Sequence, residues 1–374
     1  MSDLTLGQVV RGGEIGAAGQ IDPRKLNRHT FWCGQSGSGK TYSLGVLLEQ
    51  VLLHTSLPLL VLDPNADYVH LGAPRDDAEP HEAAGLAALD VRVFSASGDG
   101  SAQPLRVRYT GMPAPARAAV LRLDPLRDAV EYHAAIELMN EADGSYDRHS
   151  LAAALLDSPD PGRRLLGLRL ANLGILEWDI WAWRDHAVED DVNERPDAVV
   201  VDLSACTEAE EPAAVSLALL DHLWQHRMER RPISIVIDEA HNVCPATPQT
   251  PLQRALVERV VQIAAEGRKY GLWLVLSTQR PNKIHPHVLT QCDNLGLLRM
   301  NSPADLAEVA SVFGFAPRDL LDSSPGFTQG QVLLAGGFAP AAALVQTRNR
   351  ISREGGADVA VPVSTRTSLR AKES

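Results

Sequence analysis

The sequence predicts an α/β chain built on a mainly parallel sheet flanked by helices, with a mostly helical insertion. Three observations predict it. Short continuous apolar runs, suited to strands buried on both faces, alternate with longer helical segments, the pattern of parallel strands joined by crossovers. GQSGSGKT at Gly34–Thr41 fits GxxxxGK[ST], a phosphate-cradling loop set between a strand and a helix. The run ISIVI delivers Asp238 and Glu239 to a strand end, where α/β sheets place their ligands.

In chain order, residues 1–27 read as short Gly-rich segments forming one or two strands that lead in. Thr30–Cys33 is a strand, Gly34–Gly39 a loop and Lys40–His54 an amphipathic helix. Leu57–Leu62 is a buried strand ending in Asp63, Pro64 and Asn65, and Val91–Ser95 is a further strand. Residues 114–194 carry Ala, Leu and Arg at helical spacing, broken by Pro159 and Pro161 and closed by the acidic Glu189–Asp191. Strands resume at Ala198–Leu203, Ile233–Asp238, Leu272–Thr278 and, more weakly, Leu295–Arg299, with helices at Ala213–Arg230 and Leu252–Lys269. Short helices over 303–322 and a hairpin of Gly330–Ala335 with Ala341–Gln346 close the fold. The polar tail from about Gly355 is expected to be disordered. This divides the chain into a lead-in (1–27), a first half of the core (28–113), the helical insertion (114–197), a second half (198–354) and the tail (355–374).

The 374 residues are 45% hydrophobic and 22% charged, enough apolar material for a substantial core. No run of eighteen apolar residues and no secretion-signal pattern at the N-terminus are found, so a cytoplasmic chain without a membrane span is expected. Cys33, Cys206, Cys244 and Cys292 lie far apart, which argues against a zinc site or disulfide framework and suits a reducing compartment. A net charge of −12 argues against a free-standing nucleic-acid binder with a basic face, yet an assembled channel can still be lined with arginine.

The loop's glycines let consecutive N–H groups converge on phosphates, helped by the positive end of the following helix. Gly34, Gln35, Ser36, Gly37, Ser38, Gly39, Lys40, Thr41 and Tyr42 are therefore the expected nucleotide contacts. Lys40 would reach the β- and γ-phosphates, and the Thr41 hydroxyl would ligate Mg²⁺. Asp238 would hold Mg²⁺ directly or through water, while Glu239 would orient and deprotonate the attacking water. Gln279 follows a strand neighbouring the acidic one; its amide offers a donor and an acceptor for the γ-phosphate or that water. Asp63 either organises the site or caps a turn. ATP and Mg²⁺ are thus the expected cofactors and ATP hydrolysis the expected reaction. The letters DEAH do not make this a two-lobed helicase, because only one phosphate-loop core fits the chain.

Several segments together resemble the HerA-like branch of the HerA/FtsK translocase superfamily: LNRHTFWCG, VLDPNADY, VVVDLSACTEAEEPAAVSLALLDHLWQHRM and AAEGRKYGLWLVLSTQRPNKIHPHVLTQCDNLGLLRM. Ala66 and Asp67 depart from the Gly and Glu of the family's turn. The resemblance covers roughly residues 20–345 and implies a RecA-like P-loop core. It implies an ATP-driven DNA translocase or helicase working as a homo-oligomeric ring, a hexamer, on duplex DNA. A partner nuclease or other effector, in DNA-end processing or antiviral defence, comes with it. It also implies Arg28 and Arg268 as arginine fingers, acting in cis or in trans, with Arg280 and Arg299 as weaker candidates. Arg106, Arg108, Arg117, Arg122 and Arg148 are candidate pore contacts, whereas Trp178, Trp181 and Trp183 read as packing. HerA proteins carry an N-terminal β-barrel for which the 27 residues ahead of Arg28 are too few. Two alternatives remain at this point: a regulatory ATPase that scaffolds an effector without translocating, and a conjugation-type secretion ATPase.

Overall fold

The computed structural model describes residues 3–98, 102–141, 148–183 and 185–356, so nearly all of the expected tail lies outside the described residues. The strands, in chain order, are β1 (Leu4–Arg11), β2 (Glu14–Ile21), β3 (His29–Cys33), β4 (Leu59–Asp63), β5 (Val91–Ser95) and β6 (Gln103–Pro104). They continue as β7 (Ala198–Asp202), β8 (Ile233–Ile237), β9 (Leu272–Thr278), β10 (Cys292–Leu297), β11 (Gln331–Gly336) and β12 (Ala343–Thr347). All join one sheet, ordered β2-β1-β12-β11-β10-β3-β9-β8-β4-β7-β5-β6. From β10 to β6 every neighbouring pair is parallel. From β10 back to β2 the pairs are antiparallel. The mainly parallel sheet is as the sequence predicts.

The central strands are apolar throughout because both faces are covered. Phe31 and Cys33 of β3, with Leu60 and Leu62 of β4, point into one core. Trp32, Leu59 and Val61 point into the other. The first core takes the helices Glu211–Gln225 and Pro251–Glu266 and most of the helical region; the second takes the helix Lys40–His54. The lead-in segment becomes two strands, and β1 pairs with β12 near the other end of the chain, extending the same sheet.

Helices occupy Ala114–Val120, Ala129–Glu141, Arg148–Leu156, Pro161–Leu173 and Val188–Glu194. Pro161 opens a helix rather than merely ending one: a first-turn proline loses no hydrogen bond, and Asp160 caps the turn by accepting from Arg163 N at 2.8 Å. Trp178 and Trp181 stack 5.9 Å apart and Trp181 donates to the Ile175 carbonyl, so both are packing residues. Arg106, Arg108 and Arg122 are each ion-paired within the chain, to Asp185, Asp190 and Glu210. The Arg148 side chain lies outside the described residues. No helix among the described residues is long and apolar enough to cross a membrane.

After β12 the chain is strapped across the helix Lys40–His54. The buried Glu49 carboxylate accepts from Ile351 N (2.9 Å), Ser352 N (2.7 Å) and Ser352 Oγ (2.6 Å), and lies 3.6 Å from the buried Arg350 guanidinium. Glu49→Ala would strand a buried cation and two backbone donors, and breaking one side of a buried pair typically costs about 3–5 kcal/mol. A loss of that order is expected in urea unfolding; a change within about 0.5 kcal/mol, the range of ordinary surface substitutions, would contradict the strap.

Candidate active site

The strand order brings the site together. β9 lies between β3 and β8, with Cys33 opposite Thr278 and Ile237 opposite Leu276. The segments leaving the C-terminal ends of β3, β9 and β8 are therefore neighbours: the phosphate loop, Gln279, and Asp238 with Glu239. The loop is pinned at its start, where Gly34 N donates to the Thr278 carbonyl (3.3 Å) and Gln35 N to that of Arg299 (2.9 Å). Gly39, just ahead of the helix, has φ of 89°, and a Cβ there would come within 2.9 Å of Gly330 N, so only glycine fits.

Lys40 is buried, and its ammonium donates to Asp238 Oδ1 (2.7 Å) and Ser277 Oγ (2.9 Å), with Glu239 Oε1 3.1 Å away. Burial works against its charge, but Asp238 and Glu239 more than offset this, and the pKa lies above the ordinary lysine value. Ser277 Oγ in turn donates to Asp238 Oδ1 at 2.5 Å. Glu239 accepts from Gln279 Nε2 at 2.8 Å, and its second oxygen lies 3.2 Å from His241 Nδ1. Burial raises the Glu239 carboxyl's pKa, while His241, Lys40 and Gln279 together pull it down to about 2. With Lys40 in place these contacts hold Glu239 as an anion at the strand end, where a carboxylate can orient a water. Its φ of 43° places it in the left-handed region, turning the chain sharply at the strand end.

A cation pocket adjoins the loop. Asp63, Asp67 and Asp238 bring carboxylate oxygens within 4.8 Å of one another. Thr41 Oγ1 donates to Asp67 Oδ2 at 3.3 Å, and Asp238 Oδ2 is buried without a hydrogen-bond partner. Asp63 accepts from the backbone N–H groups of Asn65, Asp67 and Tyr68, so it caps the turn while joining the cluster. Ala66 holds that turn at φ of 58°, a conformation in which glycine would be unstrained. Burial pushes Asp63 up to about 7 and Asp67 up to about 6, with the Asp238 charge adding to both. An all-oxygen donor set with one orphaned carboxylate oxygen fits a hard divalent cation such as Mg²⁺. A cleft of about 1200 Å³ opens beside it, lined by Gln35–Gly37, Gly39–Tyr42, Asp67, Gln279, Thr347, Asn349 and Gly355. Tyr42 forms part of its wall and accepts from Arg350 N at 2.7 Å.

Lys40, Thr41, Asp238, Glu239 and Gln279 thus converge, as do the loop residues Gly34–Tyr42. Arg28 and Arg268 do not join them. Arg28 immediately precedes β3 and Arg268 lies four residues before β9, at the N-terminal edge of the parallel strands. A five-residue strand spans about 16 Å, so these arginines stand at the far side of the sheet from their own phosphate loop. Arg299 Nη2 instead donates to the Gly37 carbonyl at 3.0 Å, bracing the loop. Sequence reasoning missed His241, Ser277 and Asp67 as site residues. The first is the last letter of DEAH, and the third is the turn residue noted only as a departure from Glu.

The chain is similar to several known proteins. Residues 4–154 match the model of the family described as "Helicase HerA, central domain". The DNA double-strand break repair helicase HerA of Pyrococcus furiosus is 30% identical over 118 residues, covering 32% of this chain and 21% of that protein. Its counterpart from Sulfurisphaera tokodaii is 29% identical over 155 residues, 39% of this chain and 30% of that one. The matched stretch is thus less than a third of these HerA proteins. VirB4 of Thermoanaerobacter pseudethanolicus superposes with a TM-score of 0.63 at 16% identity, covering 93% of this chain and 96% of that one. The bacterial conjugative coupling protein TrwB does so at 0.57 and 13% identity, covering 94% and 91%. The chain therefore has a RecA-like fold, and its residues 4–154 are similar to the HerA central domain.

Asp238→Asn should leave ATP binding without Mg²⁺ nearly intact and abolish the tightening that Mg²⁺ brings, read by titration of a fluorescent ATP analogue. Full retention of the Mg²⁺ effect would place the cation elsewhere.

Proposed function

We propose that this chain is an ATP-hydrolysing DNA translocase of the HerA type, working as a homo-oligomeric ring, a hexamer, on duplex DNA. In this reading it powers or regulates a partner nuclease or other effector, in DNA-end processing or antiviral defence. The observation that carries the reading is the division of the site. Lys40, Asp238, Glu239 and Gln279 share one edge of the sheet, while Arg28 and Arg268 stand on the opposite edge. A finger that cannot reach its own nucleotide can reach a neighbour's. Stacking subunits edge to edge in a ring pairs one chain's phosphate loop with the next chain's arginines.

At such a boundary the phosphate-loop N–H groups hold the nucleotide and Lys40 turns from Asp238 and Glu239 to the β- and γ-phosphates. Thr41, Asp67 and Asp238 would hold Mg²⁺, which would supply charge neutralisation to the phosphates. The withdrawal of Lys40 frees a face of Glu239 for a water, which Gln279 and Glu239 orient along the line of attack. His241 Nδ1, 3.2 Å from the other carboxylate oxygen and 3.0 Å from Thr278 Oγ1, stays beside the anion while the lysine moves. Arg268 or Arg28 of the neighbour then compensates the charge that spreads over the γ-phosphoryl oxygens, a contribution of about 10³–10⁵ in rate in well-studied cases.

Glu239→Gln is expected to keep ATP affinity while turnover falls by about 10²–10⁴-fold, as for loss of a positioned catalytic carboxylate. Wild-type hydrolysis by that variant would sink the assignment. Duplex DNA should stimulate the ATPase, and the stimulation should fall steeply between low and moderate salt as phosphate contacts weaken. ATPase activity indifferent to DNA at every salt concentration would favour a nucleotide-switched scaffold over a translocase.

A further inference from the structure

The N-terminal edge of the sheet carries a third charged group beside the two arginines. Asp293, the second residue of β10, accepts from Arg268 Nη1 at 2.6 Å through Oδ2, and the same oxygen lies 3.6 Å from Arg28 Nε. Two guanidiniums therefore share one carboxylate oxygen, on three different elements that meet only in the folded sheet. The cluster keeps one net positive charge, and each of the three side chains remains a third to nearly a half exposed. An exposed ion pair of this kind adds little to stability, so its geometry rather than its energy is what distinguishes it.

The backbone beneath the cluster is rigidly tied. His29, between Arg28 and the rest of β3, is fully buried; Leu274 N donates to its Nδ1 at 2.9 Å and its Nε2 donates to the Ala264 carbonyl at 3.0 Å. This fixes one neutral tautomer, because a proton on Nδ1 would face the Leu274 N–H. Burial, with the charges of Arg268 and Arg28 beside it, holds the His29 pKa down at about 4. One imidazole thereby joins the end of the helix Pro251–Glu266, the start of β9 and the start of β3, the elements that flank the two arginines.

We propose that Asp293 is a positioning residue for the boundary arginines: it aligns Arg268, and Arg28 beside it, for presentation to the nucleotide of the adjoining subunit. This rests on the reading of the site as one completed across a subunit boundary. Without the carboxylate, two like charges on adjacent flexible side chains repel and sample many rotamers. With it, their approach to a γ-phosphate is pre-organised, and the shared oxygen can release one guanidinium while retaining the other.

The test uses the full assembled chain carrying Asp293→Ala, Asp293→Asn, Arg28→Ala or Arg268→Ala, with kcat, KM for ATP and the unfolding midpoint measured for each. Asp293→Ala is expected to lower kcat by about 10- to 100-fold, the scale of a misplaced catalytic group, with KM and the midpoint unchanged. Asp293→Asn, which keeps an oxygen acceptor, should recover part of that loss. In rings confirmed to be mixed, Asp293→Ala subunits should regain activity with Glu239→Gln subunits, as Arg268→Ala subunits should. Each such mixture contains boundaries whose two halves are both intact. A wild-type kcat for Asp293→Ala, alongside slow Arg28→Ala or Arg268→Ala enzymes, overturns the positioning role alone. A slow Asp293→Ala enzyme that is not rescued in mixed rings, while Arg268→Ala is, also overturns it. Full turnover in both arginine variants overturns the boundary reading itself, and the Asp293 role with it.

Discussion

The site depends on one constraint: the parallel register of β3, β9 and β8, which fixes three strand ends side by side. Parallel pairing forces every strand to finish at the same edge, so the phosphate loop, Gln279 and the Asp238–Glu239 pair arrive together without any loop being long. It also forces every strand to begin at the same edge, and that is why Arg28, Arg268 and Asp293 gather on the other side. In the proposed reading neither edge is a complete site by itself. A sheet five residues deep separates the two by more than any side chain can span.

Within the phosphate-loop edge, the Lys40 ammonium is the keystone. A buried cation between two buried carboxylates is costly unless each is well paired, and Ser277, Gln279 and His241 supply the remaining contacts. Asp238 keeps one buried oxygen without a hydrogen-bond partner, and its carboxylate clusters with those of Asp63 and Asp67. That asymmetry, one oxygen committed to lysine and the other open, would let a single aspartate serve both the phosphate loop and a divalent cation.

Much of this was legible in the sequence because the relevant signals are local. The apolar runs at β4, β7, β8 and β9 end at or within two residues of where their pattern stops, and an acid closes or follows the first three, at Asp63, Asp202 and Asp238. Elsewhere the signal was long-range. β10 reads as a weak strand at Leu295–Arg299 but runs from Cys292 to Leu297, since Asn294 and Gly296 are poor strand formers on their own. Gly296 is required because a Cβ there would come within 2.2 Å of the Trp32 ring, and Asn294 bonds to Thr30 and to Phe338 N; neither fact is visible locally. The helix expected from Ala213 begins two residues earlier because Pro212 sits in its first turn. Ser277 escaped notice because its role exists only through a contact with Asp238, which follows the neighbouring strand, and His241 because its approach to Glu239, two residues earlier, depends on the sharp turn at Glu239. The sharing of Asp293 by the two arginines is of the same kind.

The central claim is that hydrolysis belongs to the boundary between chains. It is tested most directly by following ATP turnover per chain as the protein is diluted, with the mass distribution measured in the same samples. Turnover per chain should fall in step with the fraction of chains in assemblies and vanish for the isolated chain. Isolated chains that hydrolyse ATP as fast as assembled ones would contradict the claim.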